Sequence, residues 1–177
     1  MPAADGKTST VDYAEKLNIG YRWYDANISK ECPIDATTHK NDCVAFPFGY
    51  GLSYTSFTVT HPNVVKKGNV YQVKATVKNT GSRTGSEVVQ VFISLPAEAD
   101  SVGTKQPPKR LVGFQKVELS PHASKSIVMT IDPSASNHPL SVWSTADNKW
   151  VTFNGEYTVS VGNSSSPSDL KVVTFTQ

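Results

Sequence analysis

Carboxylates and histidines are the side chains through which this 177-residue chain could carry acid–base chemistry. Its 15 Asp and Glu residues are scattered, and a hydrolytic acid and base would need only two that face each other. No spacing in the sequence singles out such a pair. The histidines at positions 39, 61, 122 and 138 lie in turn-like or loop-like surroundings, so we expect surface residues rather than general bases.

Short motifs for nucleophilic or cofactor chemistry are also missing. The sequence has neither a phosphate-binding Gly-x-x-x-x-Gly-Lys loop nor a Gly-x-Ser-x-Gly nucleophile elbow. Gly49-Tyr50-Gly51 does not continue into a dinucleotide fingerprint. We therefore expect no cofactor in this chain, whereas spacing alone does not exclude a facing pair of carboxylates.

Two cysteines, Cys32 and Cys43, flank a short polar loop that also contains His39. These three residues could bind zinc, but the closely spaced cysteine pair and the fourth ligand typical of zinc sites are missing. A Cys32–Cys43 disulfide is the favoured interpretation, and closing so short a loop would contribute roughly 2–3 kcal/mol. Sequons at Asn27 and Asn163 indicate the same oxidising, glycosylating export route. We therefore expect a secreted, extracellular protein with glycans at one or both asparagines and no metal.

Charge and hydropathy exclude two classes of partner. The 17 Lys and Arg residues nearly balance the acidic ones, leaving a net charge of +2 without the basic stripe that nucleic-acid binding requires. No apolar stretch approaches the ~20 residues that cross a bilayer. The first residues, MPAADG, lack the basic start and apolar run of a signal peptide, so an exported protein would have its natural N-terminus upstream.

The elements that must position any site are strands. Between Tyr71 and Lys78 apolar and polar residues alternate, as in a half-buried strand, whereas Val88–Leu95 is apolar on both faces, as in a central strand. Asn154-Gly155 separates two further apolar runs and predicts a hairpin. Seven or eight short strands without a useful helical period favour an all-β antiparallel sandwich of the immunoglobulin or fibronectin type III class. We assign residues 56–177 to this sandwich.

Residues 1–55, which we call the strap, differ in character from the sandwich. The strap holds eight of the 17 aromatic residues but shows little alternation, and only residues 15–25 could form a short strand or helix. Rings in an irregular segment must be buried against the sandwich edge or against a domain absent from this chain. The expected docking residues are Tyr21, Trp23, Tyr24, Phe46 and Phe48.

Several ordered motifs resemble one enzyme family. Leu17–Asp25 (LNIGYRWYD) and Phe46–Phe57 (FPFGYGLSYTSF) resemble the end of the α/β sandwich domain of family 3 glycoside hydrolases, and β-glucosidases are the nearest match. Further motifs resemble the fibronectin type III-like domain that ends many of these enzymes, and they lie in Val77–Val91, Lys109–Leu119, Leu140–Trp143 and Gly155–Gly162. Two departures stand out: Glu15-Lys16 replaces a common Glu-Gly, and the cysteine loop looks like an insertion.

The resemblance implies that the catalytic machinery lies elsewhere. In the family the nucleophilic Asp belongs to a barrel domain and the acid/base Glu to an upstream part of the α/β sandwich, so neither is carried over. The resemblance thus implies an accessory module that packs on the catalytic domains of a retaining β-glucosidase-like enzyme. A polysaccharide-binding module is the alternative, with Trp143 and Trp150 as sugar-stacking candidates. Burial of both tryptophans in the core is the favoured interpretation, because both lie in strand-like sequence.

Overall fold

Strands dominate the computed structural model, which describes residues 11, 13–27 and 44–177. One helix, α1 (Tyr21–Asn27), precedes nine strands in the described part of the chain. The strands are β1 (Phe57–Lys67), β2 (Val70–Asn79), β3 (Gly85–Ser94), β4 (Arg110–Leu119), β5 (Ser124–Ile131), β6 (Ser141–Ser144), β7 (Lys149–Thr152), β8 (Glu156–Gly162) and β9 (Leu170–Thr176). Short 3-10 turns occupy Ala97–Ser101 and Pro167–Asp169.

Two antiparallel sheets form a sandwich. One has three strands in the order β1-β2-β5, and the other has four in the order β4-β3-β8-β9. Strands β6 and β7 form a separate two-stranded hairpin. This arrangement confirms the predicted all-β antiparallel sandwich. The first strand begins at Phe57, but the predicted boundary between residues 55 and 56 stays a prediction.

Periodicity in the sequence accounts for the core between the sheets. The side chains of Tyr71, Val73, Ala75 and Val77 are buried on one face of β2, whereas Lys74 faces solvent. Strand β3 lies inside its sheet between β4 and β8, which explains why its second half is buried on both faces. Burying these β-branched and aromatic side chains contributes about 1.5–3 kcal/mol for each large residue.

The predicted Asn154-Gly155 hairpin is wrong. Strand β7 pairs with β6, and β8 pairs with β3 and β9, so the Asn-Gly step connects different sheets. A type I′ turn needs a positive φ at both central residues, but here only Gly155 has one, at 144°. The N–H and C=O of Gly155 instead exchange hydrogen bonds with Gln177, which ties the turn to the end of β9.

Asn79, at the end of β2, is a buried polar residue that joins several elements. Its side-chain amide donates to the carbonyl oxygens of Arg83 and Leu119, at 2.7 and 3.0 Å. Its side-chain oxygen accepts from the Thr55 hydroxyl at 2.6 Å and from the Gly81 N–H at 3.0 Å. Because Asn79 has no solvent exposure, these bonds replace water entirely and fix the entry of the strap into β1.

We predict that Asn79→Ala lowers the free energy of unfolding by about 2–4 kcal/mol, since it leaves several buried groups without partners. Urea denaturation of the wild type and the variant measures the change. Thr80→Ala, one residue away and exposed, serves as the control and should change stability by less than about 1 kcal/mol. Equal effects of the two substitutions would contradict this account of Asn79.

Candidate functional site

Helix α1 holds the strap against the four-stranded sheet through one face. Tyr21 and Asp25 are four residues apart and therefore lie on the same side of the helix. The Tyr21 hydroxyl accepts a hydrogen bond from the N–H of Leu111 at 2.7 Å. Its ring stacks on Phe48 at 5.1 Å and meets the edge of the buried Phe92 at 5.6 Å. Tyr21 thus connects the two described parts of the strap to the sandwich.

Asp25 forms a shielded ion pair with Lys109, which directly precedes β4. Their side chains are 11% and 13% exposed, and the Lys109 Nζ donates to the Asp25 carboxylate at 2.6 Å. The same ammonium lies 5.7 Å from the centre of the Phe92 ring. Burial raises the pKa of Asp25 above its ordinary value, although the hydrogen bond and charge of Lys109 act in the opposite direction.

The second described part of the strap also contacts the sandwich directly. The carbonyl of Phe48 accepts a hydrogen bond from the N–H of Ser165 at 2.7 Å. Gly49 follows with a φ of 86°, and a Cβ at this position would overlap the Gln90 side chain. Glycine therefore meets two requirements here, a left-handed backbone and a close approach to β3.

Many apolar side chains of the strap nevertheless remain uncovered. We call this set the outer strap surface; its members are Val11, Tyr13, Leu17, Ile19, Tyr24, Phe46, Phe48, Tyr50, Leu52 and Tyr54. Phe46 stacks on Tyr50 at 5.1 Å while remaining 69% exposed. Contiguous patches of exposed apolar side chains mark interaction surfaces, and the number of such side chains in this segment makes the strap a candidate for one.

The five predicted docking residues separate into two groups. Tyr24, Phe46 and Phe48 are exposed, as a docking role requires. Tyr21 is half-buried against the sandwich, and Trp23 is half-buried with its ring edge-on to Tyr24 at 5.2 Å. Their role in docking stays a prediction. Asp25 and Lys109 were not identified from the sequence, because their 84-residue separation gives no signal of the pairing.

The favoured interpretation of Trp143 and Trp150 as core residues is wrong. The two side chains are 40% and 46% exposed and form a cross-strand pair on the β6–β7 hairpin, with ring centres 5.5 Å apart. His138 stacks on Trp150 at 4.0 Å. The alternation of β6 turns Val142 inward, so its neighbour Trp143 faces outward. The sequence pattern was strand-like, but the hairpin lies outside both large sheets.

The remaining predicted sites divide between described and undescribed residues. Cys32 and Cys43 lie outside the described residues, and their disulfide stays a prediction. The Asn27 amide donates to the Trp23 carbonyl at 2.8 Å, and the Asn163 amide contacts a Glu87 carboxylate oxygen at 3.3 Å. Glycosylation of either asparagine stays a prediction. No cluster of metal-ligating side chains and no helix suited to crossing a membrane occurs within the described ranges.

Known proteins similar to this chain are glycosidases of several hundred residues. The fibronectin type III-like domain family matches residues 87–165. An exo-alpha-(1->6)-L-arabinopyranosidase of Bifidobacterium breve is 37% identical over 161 residues, which cover 90% of this chain and 18% of that enzyme. The thermostable beta-glucosidase B of Acetivibrio thermocellus is 32% identical over 170 residues, covering 94% of this chain and 20% of the enzyme. The chain thus spans about a fifth of the length of these relatives.

Solved structures give the same picture in three dimensions. A GH3 beta-glucosidase of Bifidobacterium adolescentis superimposes with a TM-score of 0.76 at 35% identity, covering 97% of this chain and 22% of that one. A beta-glucosidase from Streptomyces venezuelae gives a TM-score of 0.73 at 34% identity, covering 93% of this chain and 18% of that one. Coverage this high includes most of the strap, so the similarity is not confined to the sandwich.

We predict that Asp25→Ala weakens the docking of α1, because it leaves the shielded Lys109 ammonium without a hydrogen-bond acceptor, which even the protonated carboxyl would still provide. The exchange rate of the Leu111 amide reports the docking, since its N–H is bonded to Tyr21. We expect this rate to rise roughly 30–100-fold, which corresponds to about 2–3 kcal/mol. Asp25→Leu combined with Lys109→Met should restore much of the protection of the Leu111 amide, because neither charge is then left unpaired. If the double variant does not restore it, the Asp25–Lys109 pair does more than neutralise charge.

The carboxyl of Asp25 also determines whether its contribution to folding stability rises or falls with pH. Because the pKa of Asp25 is higher in the folded chain than in the unfolded one, folding favours its protonated form. The contribution of Asp25 to stability is therefore largest below its ordinary value of 3.8 and declines as the pH rises through its folded pKa.

Proposed function

Since this chain belongs to the C-terminal, fibronectin type III-like part of the family 3 glycoside hydrolases, we propose that it is a non-catalytic accessory module that packs on the catalytic domains and stabilises them. The observation that carries this proposal is the outer strap surface, whose apolar side chains are uncovered in the chain by itself. The parent enzyme is a β-glucosidase-like hydrolase in this proposal. Export from the cell is part of the same proposal, supported by the two cysteines and the sequons.

The energetics favour coverage of this surface. At about 25 cal/mol per Å2, burying several of these rings would stabilise an interdomain interface by a few kcal/mol. The inner face of α1 is already held by Tyr21 and Asp25, so the cost of ordering this helix has largely been met before docking. A pre-ordered surface gains more from a given contact area than a segment that must order on binding.

We predict that Phe46→Ser combined with Tyr50→Ser destabilises this module within the parent enzyme, because both rings would lose contact with the catalytic domains. The expected loss is about 2–4 kcal/mol, seen as a lower melting transition of the module. In the isolated chain the same substitutions should change the melting temperature little and reduce self-association, since both rings are exposed there.

Phe114→Ser is the matched control for this experiment. Phe114 lies on β4, is 69% exposed like Phe46, and belongs to the sandwich rather than to the strap. Substitution of Phe114 should leave the melting temperatures of the parent enzyme and of the isolated chain unchanged. Equal melting temperatures of the double variant and the wild-type parent enzyme would refute a packing role for the outer strap surface.

We predict that the isolated chain does not hydrolyse aryl β-glucosides or cellobiose, because the regions that carry the nucleophile and the acid/base are not represented in it. The measurement is release of the aryl group or of glucose over a buffer blank. Turnover that survives a second, independent purification would contradict the non-catalytic assignment.

Polysaccharide binding is a second candidate function, favoured by the exposure of Trp143 and Trp150. Exposed flat aromatic rings present apolar faces on which sugar rings can stack. One face of Trp150 is stacked on His138, which leaves its opposite face and the ring of Trp143 for a ligand.

We predict, for this second function, that soluble β-glucans change the tryptophan fluorescence of the chain saturably. Trp143→Ala should abolish most of the response, whereas Trp23→Phe on the strap should preserve it. The titration is run with the glucan and, in parallel, with a polymer of unrelated composition such as dextran. A linear, unsaturated response, or one shared by both polymers, would argue against a binding site on the hairpin.

A further inference from the structure

A cavity lies between α1 and the start of β4, on the side of the sandwich that carries the strap. Its volume is about 260 Å3, and Leu17, Arg22 and Arg110 are among the residues that line it. The cavity is therefore large enough for a side chain of another domain. Leu17 also belongs to the outer strap surface, so the cavity opens within the region that we expect the catalytic domains to cover.

Two arginines line this space. Arg110 donates from Nη2 to the carbonyl of Ser141 at 2.9 Å, while its buried Nε has no hydrogen-bond partner. Arg22 lies over the ring of Tyr21 at 5.9 Å, and its only side-chain hydrogen bond within the described part of the chain is a long one, 3.5 Å, to the Tyr21 hydroxyl. Burial and then the positive charge of Arg22 lower the pKa of Arg110 to about 10.

No carboxylate balances these two charges in the described residues. The ion pair found there joins Asp25 to Lys109 and uses the carboxylate nearest in sequence to Arg22. Two like charges beside a half-buried cavity repel each other, and a shielded charge is tolerated well only when it is paired. The cavity therefore has the electrostatic character of an anion site.

We propose that this cavity is a carboxylate-binding site and that an Asp or Glu side chain of the catalytic domains occupies it. The planar guanidinium matches a carboxylate through two parallel hydrogen bonds, a geometry that an ammonium cannot supply. The inference rests on the proposed function, because only domains that cover the outer strap surface would bring a side chain to this opening. It adds a charged contact to what would otherwise be an apolar interface.

The test compares Arg22→Gln in the parent enzyme and in the isolated chain. In the isolated chain the substitution removes repulsion from Arg110, so the melting temperature should stay equal or rise. In the parent enzyme it removes one partner of the interdomain carboxylate, so the melting transition of this module should fall by about 3–6 °C. Arg22→Lys, which keeps the charge but loses the planar fork, should fall between the wild type and Arg22→Gln in the parent enzyme.

Lys105→Gln is the matched control, since Lys105 is exposed on the loop before β4 and its substitution changes the net charge equally. It should leave both melting temperatures unchanged. Arg110→Gln is a second variant, but it also loses the bond to Ser141 and therefore requires the isolated chain as its own reference. A further measurement is a titration of the wild-type isolated chain followed by NMR. Sodium acetate, but not sodium chloride, should shift the Nε–H signals of Arg22 and Arg110 saturably.

Each outcome decides the inference. A fall in the parent enzyme without a fall in the isolated chain supports an interdomain carboxylate. Equal falls in both proteins overturn it, because the occupant would then belong to this chain. An unchanged parent enzyme also overturns it. The Phe46→Ser, Tyr50→Ser double variant separates this inference from the apolar packing role. If the double variant does not destabilise the parent enzyme while Arg22→Gln does, the carboxylate contact is supported and the apolar packing role fails.

Discussion

The attachment of α1 to the four-stranded sheet is the constraint on which the other features of this chain depend. Tyr21 and Asp25, one helical turn apart, contact the backbone of Leu111 and the ammonium of Lys109. Both contacts are made from one face of a seven-residue helix, and Tyr24 is the residue of this helix that is exposed. The strap therefore has two sides, one that belongs to the sandwich and one that is uncovered.

This two-sided arrangement explains why the segment is aromatic yet irregular. Its inner rings need particular partners, such as Phe92 for Tyr21, and its outer rings need a surface that the described part of the chain does not provide. Neither requirement imposes the period of a helix or strand. A single ion pair shielded from water adds specificity to the attachment more than net stability, since burial raises the pKa of Asp25 despite the neighbouring ammonium.

Period-two alternation made most of the sandwich predictable from sequence. The buried face of β2 and the double-sided burial of β3 follow directly from their apolar patterns. The pairing of strands did not follow, because Asn154-Gly155 looks like a hairpin turn but lies between strands of different sheets. Local turn chemistry cannot distinguish a hairpin turn within one sheet from a connection between two sheets. Here the hydrogen-bond partner of Gly155 is Gln177, at the far end of β9.

The candidate sites were less predictable, because they depend on contacts between distant residues. Exposed Trp143 and buried Val142 are neighbours in one strand, and only the position of the hairpin decides which faces solvent. The Asp25–Lys109 pair and the two arginines beside it likewise have no local signature. By contrast, the family resemblance was visible in ordered motifs that run from the strap into the sandwich, and the similar glycosidases cover both regions.

Hydroxyl-radical footprinting of the isolated chain and of the parent enzyme tests most directly whether the strap has one side for the sandwich and one for the catalytic domains. We expect Phe46, Tyr50 and Tyr54 to be oxidised in the isolated chain and protected in the parent, while Tyr21 stays weakly labelled in both. Equal labelling of Phe46, Tyr50 and Tyr54 in the two proteins would contradict it.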